Sequence, residues 1–186
     1  MNLANKISIA RIIIIPFFIT AIVYSRMDIA IFFFTLAVIS DGVDGFIART
    51  KDQKTKLGTI IDPLADKLLL ISAFICLSIV KTVPPEVALP PYVPIIVISR
   101  DFIIVLGSIM IHVITGDVKI RPSATGKITT FFQMMTIVSI LFHYTYSYIV
   151  WNITVALTII SGIDYVIKGS RLFGDNNSVS KKEPLI

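Results

Sequence analysis

Six long apolar runs dominate this 186-residue chain and leave room for little else. The helices that they predict cover residues 12–24, 29–48, 59–80, 92–114, 128–146 and 148–167. A helix needs about 20 apolar residues to cross the hydrocarbon core of a bilayer, so six crossings need about 120. Only 16% of the residues are charged, whereas soluble domains carry about 25%. The sequence therefore excludes a soluble enzyme, a disulfide scaffold and a disordered protein. It predicts an all-α, polytopic membrane protein with six transmembrane helices.

A short amphipathic segment precedes the first apolar run. Residues 2–11 carry their polar side chains at Asn2, Asn5, Lys6 and Arg11, which predicts an N-terminal interfacial helix that leads into the first span. A signal peptide is the alternative, but residues 24–26 (Tyr-Ser-Arg) lack the small residues of a cleavage site. We expect one membrane domain over residues 1–173 and a polar C-terminal tail over residues 174–186.

The basic residues are concentrated at one set of helix ends, which predicts the orientation. Arg26 and Lys81 alone mark the opposite side, and Lys67 and Arg100 fall inside predicted spans. Because cytoplasmic loops are enriched in Lys and Arg, both termini and the richly basic loops are predicted to be cytoplasmic. The basic residues of this side are Lys6, Arg11, Arg49, Lys51, Lys54, Lys56, Lys119, Arg121, Lys127, Lys168, Arg171, Lys181 and Lys182.

Four aspartates occupy the second and third predicted helices, where ionised carboxylates are costly and point to function. Asp41 and Asp44 are spaced i,i+3, and Asp62 and Asp66 are spaced i,i+4, so each pair lies on one helical face. In antiparallel helices joined by a short loop, the rise per residue places Asp41 and Asp66 each about 12 Å from the loop end. Asp44 and Asp62 lie nearer, at about 7.5 and 6 Å. The four carboxylates are therefore expected to meet in two layers.

Such a cluster of carboxylates favours hard divalent cations. Magnesium and manganese prefer carboxylate oxygen, and two metals that share four carboxylates suit phosphoryl transfer. Two other interpretations remain: the carboxylates pair with Lys67, Arg100 and Arg49 to hold helices together, or they form a proton or cation pathway in a transporter. The single cysteine, Cys76, excludes an internal disulfide and a thiolate metal cluster.

Small and basic residues surround the aspartates. Gly45, Ala48 and Gly58 leave space for a phosphate or a base to approach the backbone. Arg49, at the end of the second helix, is a candidate clamp for a phosphate oxygen.

The pattern Asp41-x-x-Asp44-Gly45-x-x-Ala48-Arg49, eight residues, Gly58-x-x-x-Asp62-x-x-x-Asp66 resembles the full motif of the CDP-alcohol phosphotransferases. That resemblance implies six membrane helices with an amphipathic N-terminal helix, and an enzyme that displaces CMP from a CDP-linked lipid. It implies that one divalent metal is bound by Asp41, Asp44 and Asp62, and a second by Asp41, Asp62 and Asp66. It also implies that Asp66 is the general base. By the same resemblance, the residues at the CDP-lipid are Asn5, Ser8, Gly45, Ala48, Arg49, Thr55 and Gly58.

Segments outside this motif resemble phosphatidylglycerophosphate synthases, whose acceptor is glycerol 3-phosphate. These segments are Asn5-x-x-Ser8-x-x-Arg11, Arg100-Asp101 and Pro122-Ser123-x-x-Gly126-Lys127-x-x-Thr130-x-x-Gln133. Three residues depart from that pattern: Ala4 replaces a usual proline, Asp101 a common glutamate, and Thr129 a frequent second lysine. The change at Thr129 moves the sequence toward the CDP-dependent cardiolipin synthases, whose acceptor is phosphatidylglycerol.

The predicted acceptor pocket is nevertheless rich in cations. Its candidate residues are Arg100, Lys119, Arg121, Ser123 and Lys127, which suit an anionic acceptor. Ordinary cytoplasmic charge is the other explanation for Lys119 and Arg121. The expected function is the transfer of a phosphatidyl group from CDP-diacylglycerol to glycerol 3-phosphate, with Mg²⁺ or Mn²⁺ as cofactor. Phosphatidylglycerol is the alternative acceptor, and a carboxylate-lined transporter is the alternative class of protein. The expected partners are the two substrates, the bilayer and, as an open question, a second copy of the chain; nucleic acid is not an expected partner.

Overall fold

The computed structural model describes residues 3–50, 58–80, 83–85, 87–115 and 124–180. Within these ranges, the side chains of residues 3–6, 8, 43–50, 58–64, 109, 111–115 and 171–180 are not described. The described part of the chain is all-helical, as predicted. Its six helices are α1 Leu3–Val23, α2 Met27–Thr50, α3 Gly58–Ile79, α4 Tyr92–Thr115, α5 Ala124–Leu141 and α6 Ser147–Ser180.

The largest differences from the predicted helix boundaries are at the start of α1 and at the ends of α5 and α6. The amphipathic segment and the first apolar run form the single helix α1, because no turn signal separates them. Helix α5 ends at Leu141 although apolar and aromatic residues continue to Tyr146, since a local backbone turn stops it. Helix α6 continues through the polar residues after the apolar run and reaches Ser180, within the segment predicted as a tail.

Two non-glycine residues with left-handed backbone conformations end α1 and α5. Ser25 has a φ of 62°, and the Arg26 amide donates a hydrogen bond to the Ala21 carbonyl oxygen at 2.8 Å. His143 has a φ of 51°, and the Tyr144 amide donates to the Ser139 carbonyl oxygen at 2.9 Å. Both arrangements are Schellman caps, which satisfy carbonyls that the last turn leaves unpaired. His143 thus has a structural role that its residue type does not reveal.

Helix α1 packs against both α2 and α3, and this contact forms the core on the N-terminal side of the protein. Phe18 of α1 and Phe34 of α2 are buried, with ring centroids 5.8 Å apart. Ala30, Ala37 and Ala73 are fully buried, and small residues of this kind let helix backbones approach closely. The packing places the N-terminal part of α1 beside the aspartate-bearing parts of α2 and α3.

Helix α6 packs against both α4 and α5. Its contact with α5 is a seam of buried hydroxyls: the Thr136 and Thr154 hydroxyl oxygens lie 2.8 Å apart, and the Thr129 hydroxyl donates to the Leu157 carbonyl oxygen at 3.2 Å. Its contact with α4 includes Ser108 and Tyr165, whose hydroxyl oxygens lie 2.9 Å apart. Since polar side chains form these contacts, the bundle does not depend on apolar burial alone.

The outward surface of the bundle is strongly apolar. Large exposed side chains include Phe17, Phe32, Phe102, Phe131 and Ile160, each more than half exposed. Among the side chains described, one helical stretch, Ser147–Ser170, is long and apolar enough to cross a membrane, and Ile9–Val23 is a shorter apolar stretch. Only 17% of the most apolar part of Ser147–Ser170 is buried inside the protein.

Candidate active site

A fully buried arginine joins two of the four aspartates singled out in the sequence. One guanidinium nitrogen of Arg11, Nη1, lies 3.0 Å from Oδ1 of Asp41 and donates a hydrogen bond to Oδ1 of Asp66. Arg11 is 0% exposed, whereas the two carboxylates are each about one third exposed. Helix α1 thus supplies a cation to carboxylates from α2 and α3, which meet around one nitrogen atom.

The donor set and its convergence fit a divalent cation. Carboxylate oxygens are the ligands that Mg²⁺ and Mn²⁺ prefer, and Asp41 and Asp66 already turn one oxygen each toward the same positive charge. The side chains of Asp44 and Asp62 lie outside the described residues. Among the side chains described, no group of three His, Cys, Asp or Glu residues lies together. Half of the predicted ligand set is therefore seen to converge.

Most of the other predicted site residues fall outside the described side chains. The backbones of Asn5, Ser8, Gly45, Ala48, Arg49 and Gly58 belong to α1, α2 and α3, and nothing further is described of their side chains. Thr55, Lys119, Arg121 and Ser123 lie outside the described residues altogether. The binding roles given to these residues stay predictions.

A second ionic cluster lies where α3, α4 and α6 meet. Arg100 and Asp101 are both buried, and Nη1 of Arg100 lies 2.7 Å from Oδ1 of Asp101. Nη2 of Arg100 donates to the Ser161 hydroxyl at 2.7 Å, and the Lys67 ammonium lies 3.9 Å from the other Asp101 oxygen. Adjacent residues on a helix point in different directions, yet the long arginine side chain folds back to its neighbour. The acceptor role predicted for Arg100 thus concerns a guanidinium that already has two partners.

Removing the carboxylate of this second cluster is expected to destabilise the protein. Asp101→Asn leaves the buried Arg100 without its charge partner, and breaking a buried ion pair in this way costs about 3–5 kcal/mol. The measurement is the free energy of unfolding in mild detergent. Asp28→Asn is the matched control, because Asp28 and Arg26 form an exposed pair at 3.2 Å. Equal losses in the two variants would show that the buried cluster has no special structural role.

At the start of α5, Lys127 is exposed and its neighbour Thr125 is held by α6. The Thr125 hydroxyl donates to Oδ2 of Asp164 at 2.9 Å, and the Lys168 ammonium donates to the same oxygen at 2.7 Å. Thr129 is fully buried, and its hydroxyl lies 2.8 Å from the Thr125 carbonyl oxygen of its own helix and 3.2 Å from the Leu157 carbonyl oxygen of α6. Position 129 therefore faces α6, so the residue that departs from the synthase pattern serves helix packing here.

Arg11 is the residue whose place in this site the sequence did not reveal. In the sequence, Arg11 belongs to the predicted interfacial segment, to the cytoplasmic basic residues and to the Asn5-x-x-Ser8-x-x-Arg11 segment that resembles phosphatidylglycerophosphate synthases. Its signal was the spacing of Asn5, Ser8 and Arg11, which at three-residue intervals follow one helical face. That spacing predicts a shared face but does not identify the partner helices, which here are α2 and α3.

In the described part of the chain, the fold is a helical bundle in which acidic side chains from two helices converge beside a third. These features define a class of helical proteins with a carboxylate centre suited to divalent cations. The chain belongs to the CDP-alcohol phosphatidyltransferase family, whose model matches residues 1–160. This family is membrane-associated and generally depends on divalent metals.

Relatives cover nearly the whole chain. A Bacillus subtilis protein named CDP-diacylglycerol–glycerol-3-phosphate 3-phosphatidyltransferase is 31% identical over 90% of this chain and 94% of its own length. A Haemophilus influenzae protein of the same name is 33% identical over 92% of this chain and 96% of its own length. The human protein named cardiolipin synthase (CMP-forming) is 27% identical over 91% of this chain and 62% of its own length.

Proposed function

We propose that this protein transfers the phosphatidyl group of CDP-diacylglycerol to glycerol 3-phosphate and releases CMP, which gives phosphatidylglycerophosphate. The observation that carries the proposal is the convergence of Asp41 and Asp66, from α2 and α3, within the family motif. The names of the bacterial relatives support this choice of substrates.

The proposed setting is the bilayer, which all six helices cross. Large apolar side chains cover the outside of the bundle, and a surface of that extent is typical of contact with lipid rather than water. The distribution of basic residues supports a cytoplasmic location for both termini and for the active site. Residues 1–173 would form the single catalytic domain.

The proposed metal ligands are the four aspartates. Asp41, Asp44 and Asp62 would hold one ion, Asp41, Asp62 and Asp66 the other, and Mg²⁺ or Mn²⁺ suits an all-carboxylate set. When bound, the ions supply charge neutralisation for the diphosphate and for the leaving CMP. Asp66 accepts the proton of the acceptor hydroxyl as that oxygen attacks the β-phosphorus.

The remaining predicted residues are proposed to bind the two substrates. Contacts to the anionic acceptor are assigned to Arg100, Lys119, Arg121, Ser123 and Lys127, since charge-assisted hydrogen bonds to phosphate are strong. Contacts to the CDP-lipid are assigned to Asn5, Ser8, Gly45, Ala48, Arg49, Thr55 and Gly58.

Phosphatidylglycerol is the second candidate acceptor, and Thr129 is the observation that favours it. A threonine is uncharged, so position 129 supplies no cation for an acceptor phosphate, and its hydroxyl donates to backbone carbonyl oxygens at Thr125 and Leu157. The human cardiolipin synthase relative supports the same alternative, although it matches over a smaller share of its own length.

An acceptor panel tests the proposal. With CDP-diacylglycerol, CMP release is expected with glycerol 3-phosphate and not with phosphatidylglycerol. Lys127→Ala should raise the Michaelis constant for glycerol 3-phosphate about 10- to 100-fold, because one charge-assisted contact is lost. The constant for CDP-diacylglycerol should change much less. The matched control is Lys168→Ala, because Lys168 is also exposed and is paired with Asp164.

The panel also separates the alternatives. Reaction with phosphatidylglycerol while glycerol 3-phosphate stays inert would make the protein a cardiolipin synthase. If CMP is released with neither acceptor but liposomes containing the protein become permeable to cations or protons, the transporter interpretation replaces the enzyme.

A further inference from the structure

Arg11 holds its charge inside the protein by contacting two carboxylates from other helices. A buried cation without partners is strongly unfavourable. Here the 0% exposed guanidinium contacts Asp41 and Asp66 through the same nitrogen atom. The contacts make Arg11 a counter-ion for carboxylates that would otherwise repel one another.

The oxygens that Arg11 contacts belong to the residues proposed to bind metal. Oδ1 of Asp41 and Oδ1 of Asp66 both contact Nη1 of Arg11, so a divalent cation that used these two oxygens would have to share them with the guanidinium. Since both are positively charged, close approach of the ion and the guanidinium is unfavourable. In the observed arrangement, the guanidinium and a divalent ion cannot both use these two oxygens.

We infer that Arg11 competes with a divalent cation for Asp41 and Asp66, so that an internal cation sets the metal affinity of the carboxylate centre. The inference rests on the proposed function in one respect, that these aspartates bind metal. The inference goes beyond the proposed function because it gives α1 a role in setting how tightly the metal binds. When the ion takes these oxygens, Arg11 must move away from them.

The test is Mn²⁺ binding to the purified full-length protein in detergent, measured from the electron paramagnetic resonance signal of free Mn²⁺. Arg11→Met replaces the charged side chain by an unbranched apolar one, and this variant should bind Mn²⁺ about tenfold more tightly or better than the wild type. Arg11→Lys keeps the charge and should bind at nearly the wild-type affinity. Arg26→Met is the matched control, because Arg26 lies in the connection between α1 and α2 and forms an exposed pair with Asp28, and it should leave Mn²⁺ affinity unchanged.

The outcomes separate this inference from the proposed function. If the wild type binds Mn²⁺ and Arg11→Met binds it equally or more weakly, the proposed competition is wrong. Arg11 would then be a residue that only orients the carboxylates. Tight binding by Arg11→Lys as well would overturn it too, since charge would not be the cause. Absence of Mn²⁺ binding in every variant would remove the metal site itself, and with it the proposed function.

If Arg11→Met does not fold in the presence of chelator, its folding is measured again after Mn²⁺ is added. If Mn²⁺ then restores the fold, the ion has replaced the guanidinium as counter-ion, which supports the competition. A variant that stays unfolded in excess Mn²⁺ would show that the ion cannot take the place of Arg11, and the inference would be wrong.

Discussion

Replacing Asp66 by asparagine is expected to reduce CMP release by about 10²- to 10⁴-fold, the usual contribution of a general base. The amide cannot accept the acceptor proton, and it is also a poorer metal ligand than a carboxylate. The structure adds a second consequence, because Asp66 accepts a hydrogen bond from the buried Arg11. The asparagine side-chain oxygen can still accept that bond, so the helices are expected to stay packed. The measurement is turnover in mild detergent with both substrates saturating.

Two controls accompany this variant. Asp28→Asn removes an exposed carboxylate from the first turn of α2, far along the helix from Asp41, and should leave turnover unchanged. A far-UV circular dichroism spectrum of Asp66→Asn should match the wild type. Turnover close to the wild-type value in Asp66→Asn would exclude Asp66 as an essential base.

Removal of divalent cations is expected to abolish activity without unfolding the protein. In excess chelator, CMP release should fall by at least about 10²-fold, because the metals are proposed to neutralise the diphosphate and the leaving CMP. The fold should persist, since Arg11 offsets the charges of Asp41 and Asp66. The measurements are turnover and thermal unfolding on the same sample, before and after chelation. Added Mg²⁺ or Mn²⁺ should restore turnover.

The control for chelation is chelator saturated with Mg²⁺ beforehand, which should not inhibit. Full activity after verified metal removal would overturn the two-metal mechanism. Loss of activity together with loss of the helical fold would give the metal a structural role and would contradict the part assigned to Arg11.

Local patterns in the sequence were sufficient for the helices and for the acidic motif. Apolar runs predicted all six helices, because burial of apolar side chains and internal backbone hydrogen bonding operate within each segment. Boundaries were less accurate at α5, where the aromatic residues after Leu141 continue the apolar run. The turn at His143 depends on a left-handed backbone conformation that no residue type there requires.

The apolar runs of the sequence by themselves determined the helical class, and the resemblance of the motif from Asp41 to Asp66 indicated the family. Helix periodicity predicted that Asp41 shares a face with Asp44 and Asp62 with Asp66. Tertiary structure alone decided which cations Asp41, Asp66 and the buried Asp101 meet. Arg11 reaches Asp66 across 55 positions of the chain, and Ser161 of α6 binds Arg100 of α4. Such contacts depend on how whole helices pack, and packing is the sum of many weak contacts distributed over distant residues. A basic residue near an apolar run can therefore face lipid headgroups or the protein interior, and only the packing of α1 between α2 and α3 placed Arg11 inside.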